Sequence, residues 1–122
     1  MRFLLVLGGG AIGSLLRYGV SGAFSKAGAN FPLGTLLVNL SGSFLIGLFW
    51  GISEKAVFHP NWKAFIFTGV LGGFTTFSAY SLENFHLLRS GENFSAVLNI
   101  ALSNILGIGL VFLGFGVSRY FL

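Results

Sequence analysis

Cysteine and aspartate are both missing from this 122-residue chain, and its only carboxylate side chains are Glu54, Glu83 and Glu92. Without thiols there is no disulfide framework, no thiolate zinc site and no cysteine nucleophile. Three scattered glutamates argue against paired-carboxylate hydrolysis and against a carboxylate-rich metal centre. Charge of either sign is scarce. Asp, Glu, Lys and Arg supply 8% of the residues, where a water-facing surface takes roughly a quarter to a third. That excludes an ordinary soluble enzyme. The two histidines, His59 and His86, have no acidic partner at a suggestive spacing and read as interfacial residues rather than catalysts. No nucleic-acid partner is expected.

Apolar residues, by contrast, make up 54% of the chain, with glycine at another 19 positions. Four stretches, 3–20, 33–52, 64–82 and 96–117, approach the roughly 20 helical residues that cross a hydrocarbon core. The connections collect the turn formers and nearly every charge: Lys26 and Pro32; Glu54, Lys55, Pro60 and Lys63; Glu83, Arg89 and Glu92. The expected fold is an all-α integral membrane protein of four transmembrane helices in a single domain spanning residues 1–122. Met1-Arg2 followed by an apolar run imitates a signal peptide, but no convincing small-x-small cleavage site follows, so it reads as a retained first span.

Four spans put both termini and the second loop on one side, with Arg2, Lys55, Lys63 and Arg119. The other side has Lys26 and Arg89, plus Arg17 if it reaches that interface. This is a weak bias for a rule that normally sets orientation by a clear Lys/Arg excess. One or two charges can orient so small a protein. The alternative is that both orientations form and pair as an antiparallel dimer, supplying the inverted repeat that larger transporters encode in one chain.

Gly8-Gly9-Gly10-Ala11-Ile12-Gly13 satisfies G-x-G-x-x-G, but that pattern signifies nucleotide binding only between a strand and a helix. Inside an apolar span, Gly9-x-x-x-Gly13 and Gly69-x-x-x-Gly73 instead predict close helix packing. Polar residues within the spans carry more information, because each is unfavourable in lipid. Thr35, Asn39, Ser43 and Gly47 recur every four residues along the second span, and Asn99, Ser103 and Gly107 repeat the device in the fourth. Either stripe could be interhelical glue; together they resemble a narrow lining of neutral donors suited to an anion. Arg17 is the one formal charge inside a span. It either snorkels to the interface or draws anions toward that lining.

The third span reads Thr68-Gly69-Val70-Leu71-Gly72-Gly73-Phe74-Thr75-Thr76-Phe77-Ser78-Ala79-Tyr80-Ser81. Two glycines followed by two β-branched threonines form a helix poorly and predict a break in mid-membrane. Carbonyls freed at such a break suit a hard cation such as Na⁺. Beyond it, Phe77 and Tyr80 lie three apart on one face, where ring edges could stabilise an anion or merely pack.

These segments resemble the Fluc (CrcB-type) fluoride channel family over essentially the whole length. The resemblance rests on Gly9-Gly10-Ala11-Ile12-Gly13 with Arg17-Tyr18, on Pro32-Leu33-Gly34-Thr35-Leu36 with Val38-Asn39, on Gly42-Ser43-Phe44, and on Gly72 through Ser78. It implies a multi-pass protein of the plasma or inner membrane, assembled as an antiparallel, dual-topology homodimer. It further implies two pores that passively export fluoride entering as HF, and a structural Na⁺ at the dimer centre. By resemblance, Gly72 and Thr75 supply backbone carbonyls to that Na⁺. Phe77 and Asn39 match pore residues, and Tyr80 falls where the family usually has a second phenylalanine. Ser103, Asn99 and Ser43 fall on the polar lining, Arg17 near the entrance, and Thr35, Thr76, Ser81 and Glu83 at the vestibules or the flank of the path.

The nearest rival is a small multidrug or guanidinium exporter, also a four-helix dual-topology dimer. By resemblance that class needs a carboxylate deep in the first span, and this chain has none there. A membrane scaffold using its glycines only for packing is the second rival.

Overall fold

A computed structural model describes residues 1–25 and 31–122; Lys26, read above as a flanking charge, lies outside the described residues. Every regular element in it is helical. The elements are α1 (Arg2–Ser25), α2 (Leu33–Lys55), α3 (Pro60–Lys63), a π-helical segment (Ala64–Leu71), α4 (Gly72–Phe74), α5 (Phe77–Arg89) and α6 (Asn93–Phe121). Among the described residues, four stretches are long and apolar enough to cross a membrane: Arg2–Phe24, Leu33–Lys55, Pro60–Arg89 and Asn93–Phe121. The third is composite, as its glycines and threonines predict. The interruption falls at Thr75 and Thr76, whose backbones are extended, while Gly72 and Gly73 remain helical. The π-helical turn upstream has no counterpart in the sequence reading, because hydropathy cannot distinguish five-residue from four-residue hydrogen-bond spacing.

The spans pack as two parallel pairs, each zipped by glycine. In the first, α1 lies on the π segment and α4. A methyl group on Gly9 would come within 2.7 Å of the Phe65 carbonyl oxygen, and one on Gly73 would meet the Gly10 carbonyl at 2.7 Å. A methyl on Gly13 would overlap the Val70 carbonyl outright. The two small-x-x-x-small pairs read from the sequence therefore face each other, which lets the backbones meet where a Cβ would hold them apart. In the second pair, Gly47 abuts the Val111 carbonyl of α6 and Gly114 abuts the Phe44 carbonyl of α2. Lys55 closes its end by donating to the Ser118 and Arg119 carbonyls, at 2.7 and 2.5 Å, near the C-terminus of α6. There the last carbonyls lack helical donors and the dipole favours a cation.

The end of α5 is set by Gly91 at φ 81°. Its N–H bonds the Leu88 carbonyl at 3.1 Å, and the Glu92 N–H bonds the Leu87 carbonyl at 2.8 Å, a Schellman pair. Gly91→Ala is expected to destabilise the fold by about 1 kcal/mol, the penalty of a Cβ in the left-handed region. Thermal unfolding in detergent measures it. At the start of α3, His59 accepts from the Asn61 N–H through Nδ1 at 3.1 Å, so this histidine is a helix cap.

Candidate functional site

The break can be understood by asking where its backbone groups find partners. In an unbroken helix the N–H of Thr76 would bond the Gly72 carbonyl, and that of Ala79 the Thr75 carbonyl. Here the Thr76 N–H donates instead to Asn39 Oδ1 at 2.9 Å, and Asn39 Nδ2 returns a bond to the Thr76 carbonyl at 3.0 Å. The Ala79 N–H is taken by Thr76 Oγ1 at 3.2 Å, which caps α5. Arg17 Nε serves the Gly73 carbonyl at 3.2 Å. Asn39 and Arg17 thus replace in the side chains what the extended threonines remove from the helix. The carbonyls of Gly72 and Thr75 lose their helical donors to Asn39 and Thr76. These are the two carbonyls the resemblance assigns to Na⁺.

Beside the break lies an open groove of about 400 Å³ between α2, α6 and the third span. Asn39 and Ser43 reach it from α2, Ser103 and Asn104 from α6, and Thr75, Thr76, Gly72, Phe77 and Tyr80 from the broken helix. The Phe77 and Tyr80 rings touch at a centroid separation of 5.6 Å and a tilt of 40°. Phe77 is 78% exposed, so its ring stands in the groove mouth rather than in the core. Thr75 turns its hydroxyl back to the Leu71 carbonyl at 2.9 Å, and Thr76 Oγ1 also lies 3.3 Å from Ser78 Oγ. The Ser43 and Tyr80 hydroxyls make no hydrogen bond to any described residue.

The two polar stripes do not run as single tracks. Thr35 is buried and donates to Glu83 Oε1 at 2.6 Å, so the stripe of α2 begins against α5, passes the break at Asn39, enters the groove at Ser43 and ends in the Gly47 contact with α6. Asn99 is 1% exposed and donates to Asn84 Oδ1 at 2.9 Å, inside the α5–α6 contact and away from the groove. Ser103 lies in the groove and Gly107 beside Ser43. Arg17 is half-buried against the break, and Ser81 is exposed outside the groove.

A family model described as CrcB-like protein, Camphor Resistance (CrcB), matches residues 4–115. The chain belongs to the CrcB family. Among its relatives is a protein of Parabacteroides distasonis named "Fluoride-specific ion channel FluC", 53% identical over 92% of this chain and 88% of its own. Proteins of the same name from Shewanella amazonensis and Desulfotalea psychrophila are 46% and 40% identical, over 91% and 100% of this chain and 90% and 95% of theirs. These names describe an ion channel, not an enzyme. With the four spans, they make this CrcB member a multi-pass membrane protein.

Sequence reasoning missed Asn84 and Asn104 in this CrcB chain. Asn84 lies past residue 82, where hydropathy ends the third span, and Asn104 lies about 100° round the helix from the Asn99–Ser103 stripe. An amide within an apolar run was the available signal for Asn104.

Proposed function

We propose that the chain is one subunit of a fluoride-selective channel, in which ions pass down their gradient along the groove between α2, α6 and the broken helix. The observation that carries this reading is the break itself: a polar, half-open groove at mid-span, edged by Asn39 and Phe77, in a chain otherwise built to face lipid. Asn39 commits its oxygen and one N–H to Thr76, which leaves a second N–H available to an anion. Ser43, Ser103 and Tyr80 add neutral hydroxyls, and the Phe77 and Tyr80 rings offer positive edges. Thr35, Thr76, Ser81, Asn99 and Arg17 belong to the flanks of this path. Neutral donors of this kind favour a small, strongly hydrated halide without trapping it as a fixed cation would.

The groove is open on one side, and Phe77 and Asn104 are exposed at its rim. We assign that side to a second copy in antiparallel orientation, giving a homodimer with two pores. The weak Lys/Arg bias supports dual topology. The carbonyls of Gly72 and Thr75 suit Na⁺, being oxygen donors released by the break, and both residues line the open groove. Among the described residues the break brings this pair of carbonyls to the groove, and we place the ion between both copies at the dimer centre. It would supply a fixed positive charge that neutralises the carbonyl dipoles.

Fluoride-electrode recording on proteoliposomes tests the reading. Electrically driven F⁻ efflux that exceeds Cl⁻ efflux supports the channel. Proton-coupled uptake of an organic cation would establish the exporter instead, and no transport at all would leave the scaffold. Phe77→Ile removes the ring edge but keeps the apolar volume. It is expected to lower F⁻ flux by at least about tenfold, the worth of roughly 1.4 kcal/mol; an undiminished rate would return that ring to packing.

A further inference from the structure

Several backbone carbonyls around the break are answered by side chains or by the backbone. The Leu71 carbonyl takes the Thr75 N–H and hydroxyl at 3.0 and 2.9 Å, and the Thr76 carbonyl takes Asn39 Nδ2 at 3.0 Å. The Gly73 carbonyl takes Arg17 Nε at 3.2 Å. Gly72 and Thr75, whose carbonyls have lost their helical donors, line the groove and flank Gly73 in the chain. A full positive charge therefore stands on the carbonyl next to one assigned to Na⁺. Arg17 is half-buried and has no carboxylate partner among the described residues, and no carboxylate is among the residues that line the groove.

Resting on the cation reading above, we propose that Arg17 makes this site selective for a monovalent cation by repelling divalent ones. Na⁺ and Ca²⁺ are nearly the same size, so carbonyl oxygens that fit one also fit the other. Charge has to separate them. Sites that prefer Ca²⁺ supply carboxylates to match it, whereas this one supplies neutral oxygens beside a cation. The guanidinium nitrogen is 3.2 Å from the Gly73 oxygen, and Gly72 is the preceding residue, which puts the charge about 8 Å from an ion on the Gly72 carbonyl. At that distance, in the effective dielectric of a partly buried site, one unit charge weakens the binding of another by at least about tenfold. The repulsion is proportional to the charge of the bound ion, so a divalent ion is weakened by the square of that factor, roughly a hundredfold. The hydrogen bond works in the same direction. It keeps the Gly73 oxygen from joining the site, and Ca²⁺ needs many oxygen ligands.

Thermal unfolding of the full-length protein in detergent tests this without any flux measurement, because an ion that binds only the folded state raises the melting temperature. NaCl and CaCl₂ are titrated at an ionic strength held constant with N-methylglucamine chloride. Wild type is expected to be stabilised by Na⁺ and not by Ca²⁺ at equal concentration. Arg17→Gln removes the charge but keeps an amide donor. It should bind Na⁺ at least about tenfold more tightly and gain a Ca²⁺ response, the Ca²⁺ affinity rising by roughly the square of the Na⁺ factor. Arg17→Lys keeps the charge and should respond as wild type does. Equal stabilisation of wild type by the two ions overturns the proposal, and that arm does not depend on any variant folding. An equal gain for both ions in Arg17→Gln, or no gain for either, also overturns it and leaves Arg17 as a prop of the break alone. A wild-type protein that melts at the same temperature with and without Na⁺ refutes the cation site itself.

Discussion

Asn39→Leu is expected to reduce F⁻ flux by at least about a hundredfold and to lower thermal stability at the same time. Leucine fills the same space but leaves both the N–H and the carbonyl of Thr76 without the partners they now have at 2.9 and 3.0 Å. An unsatisfied buried backbone group costs about 1–3 kcal/mol, and the groove's access to water puts this pair at the lower end of that range. The extended threonines would then re-form helix or draw water into the break. Either change moves the Gly72 and Thr75 carbonyls and the Phe77 ring together. Asn39→Asp loses one half of the pair: a carboxylate still accepts from the Thr76 N–H but has no proton for the Thr76 carbonyl, so melting should fall here too, and a negative charge beside the path should block an anion. Fluoride-electrode flux and detergent melting curves, measured on both variants, check the pair of effects. Normal flux in Asn39→Leu would remove this residue from the path.

Gly13→Ala should be among the most damaging single-methyl additions in the protein, with Gly47→Ala and Gly114→Ala, abolishing recovery of folded protein or lowering its stability by about 3 kcal/mol. The new methyl would overlap the Val70 carbonyl and lie 2.8 Å from the Phe74 nitrogen, and backbone atoms in a zipped helix pair cannot move aside as a flexible side chain would. Gly8→Ala is the control. It lies in the same helix, with no atom within 4 Å of its added Cβ, and should be neutral or slightly stabilising through helix propensity. Monodispersity on size-exclusion chromatography and melting temperature distinguish the two. Equal behaviour would mean that α1 does not pack on the π segment as described.

Much of this architecture could be read from residue order, and the misses have physical causes. The four spans were visible because lipid tolerates little but apolar side chains, yet each helix runs past its hydropathic limit. The third starts at Pro60 and ends at Arg89 rather than covering 64–82, because helical hydrogen bonding continues into the interface where charge is welcome. Gly9, Gly13, Gly69 and Gly73 announced a close contact, and the structure places them across one seam. The break was legible from its threonines. What holds it was not: Asn39 reaches Thr76 across a sequence separation of 37, and Arg17 reaches Gly73 across 56. Periodicity within one helix shows which face is polar but not which distant backbone group will use it. For the same reason the sequence left Asn99 open between interhelical glue and a polar lining, and could not show that its amide donates to Asn84 inside the protein.

The parallel pairing has a consequence for how the chain is made. Each seam joins spans separated by an intervening one, with the Arg17–Gly73 and Lys55–Ser118 contacts bridging 56 and 63 residues. During synthesis, α1 therefore waits in the bilayer with its glycine face uncovered until the third span leaves the ribosome, and α2 waits for the last. A nascent polypeptide released after its second span would have neither seam, and would be a substrate for membrane quality control rather than a half-built pore.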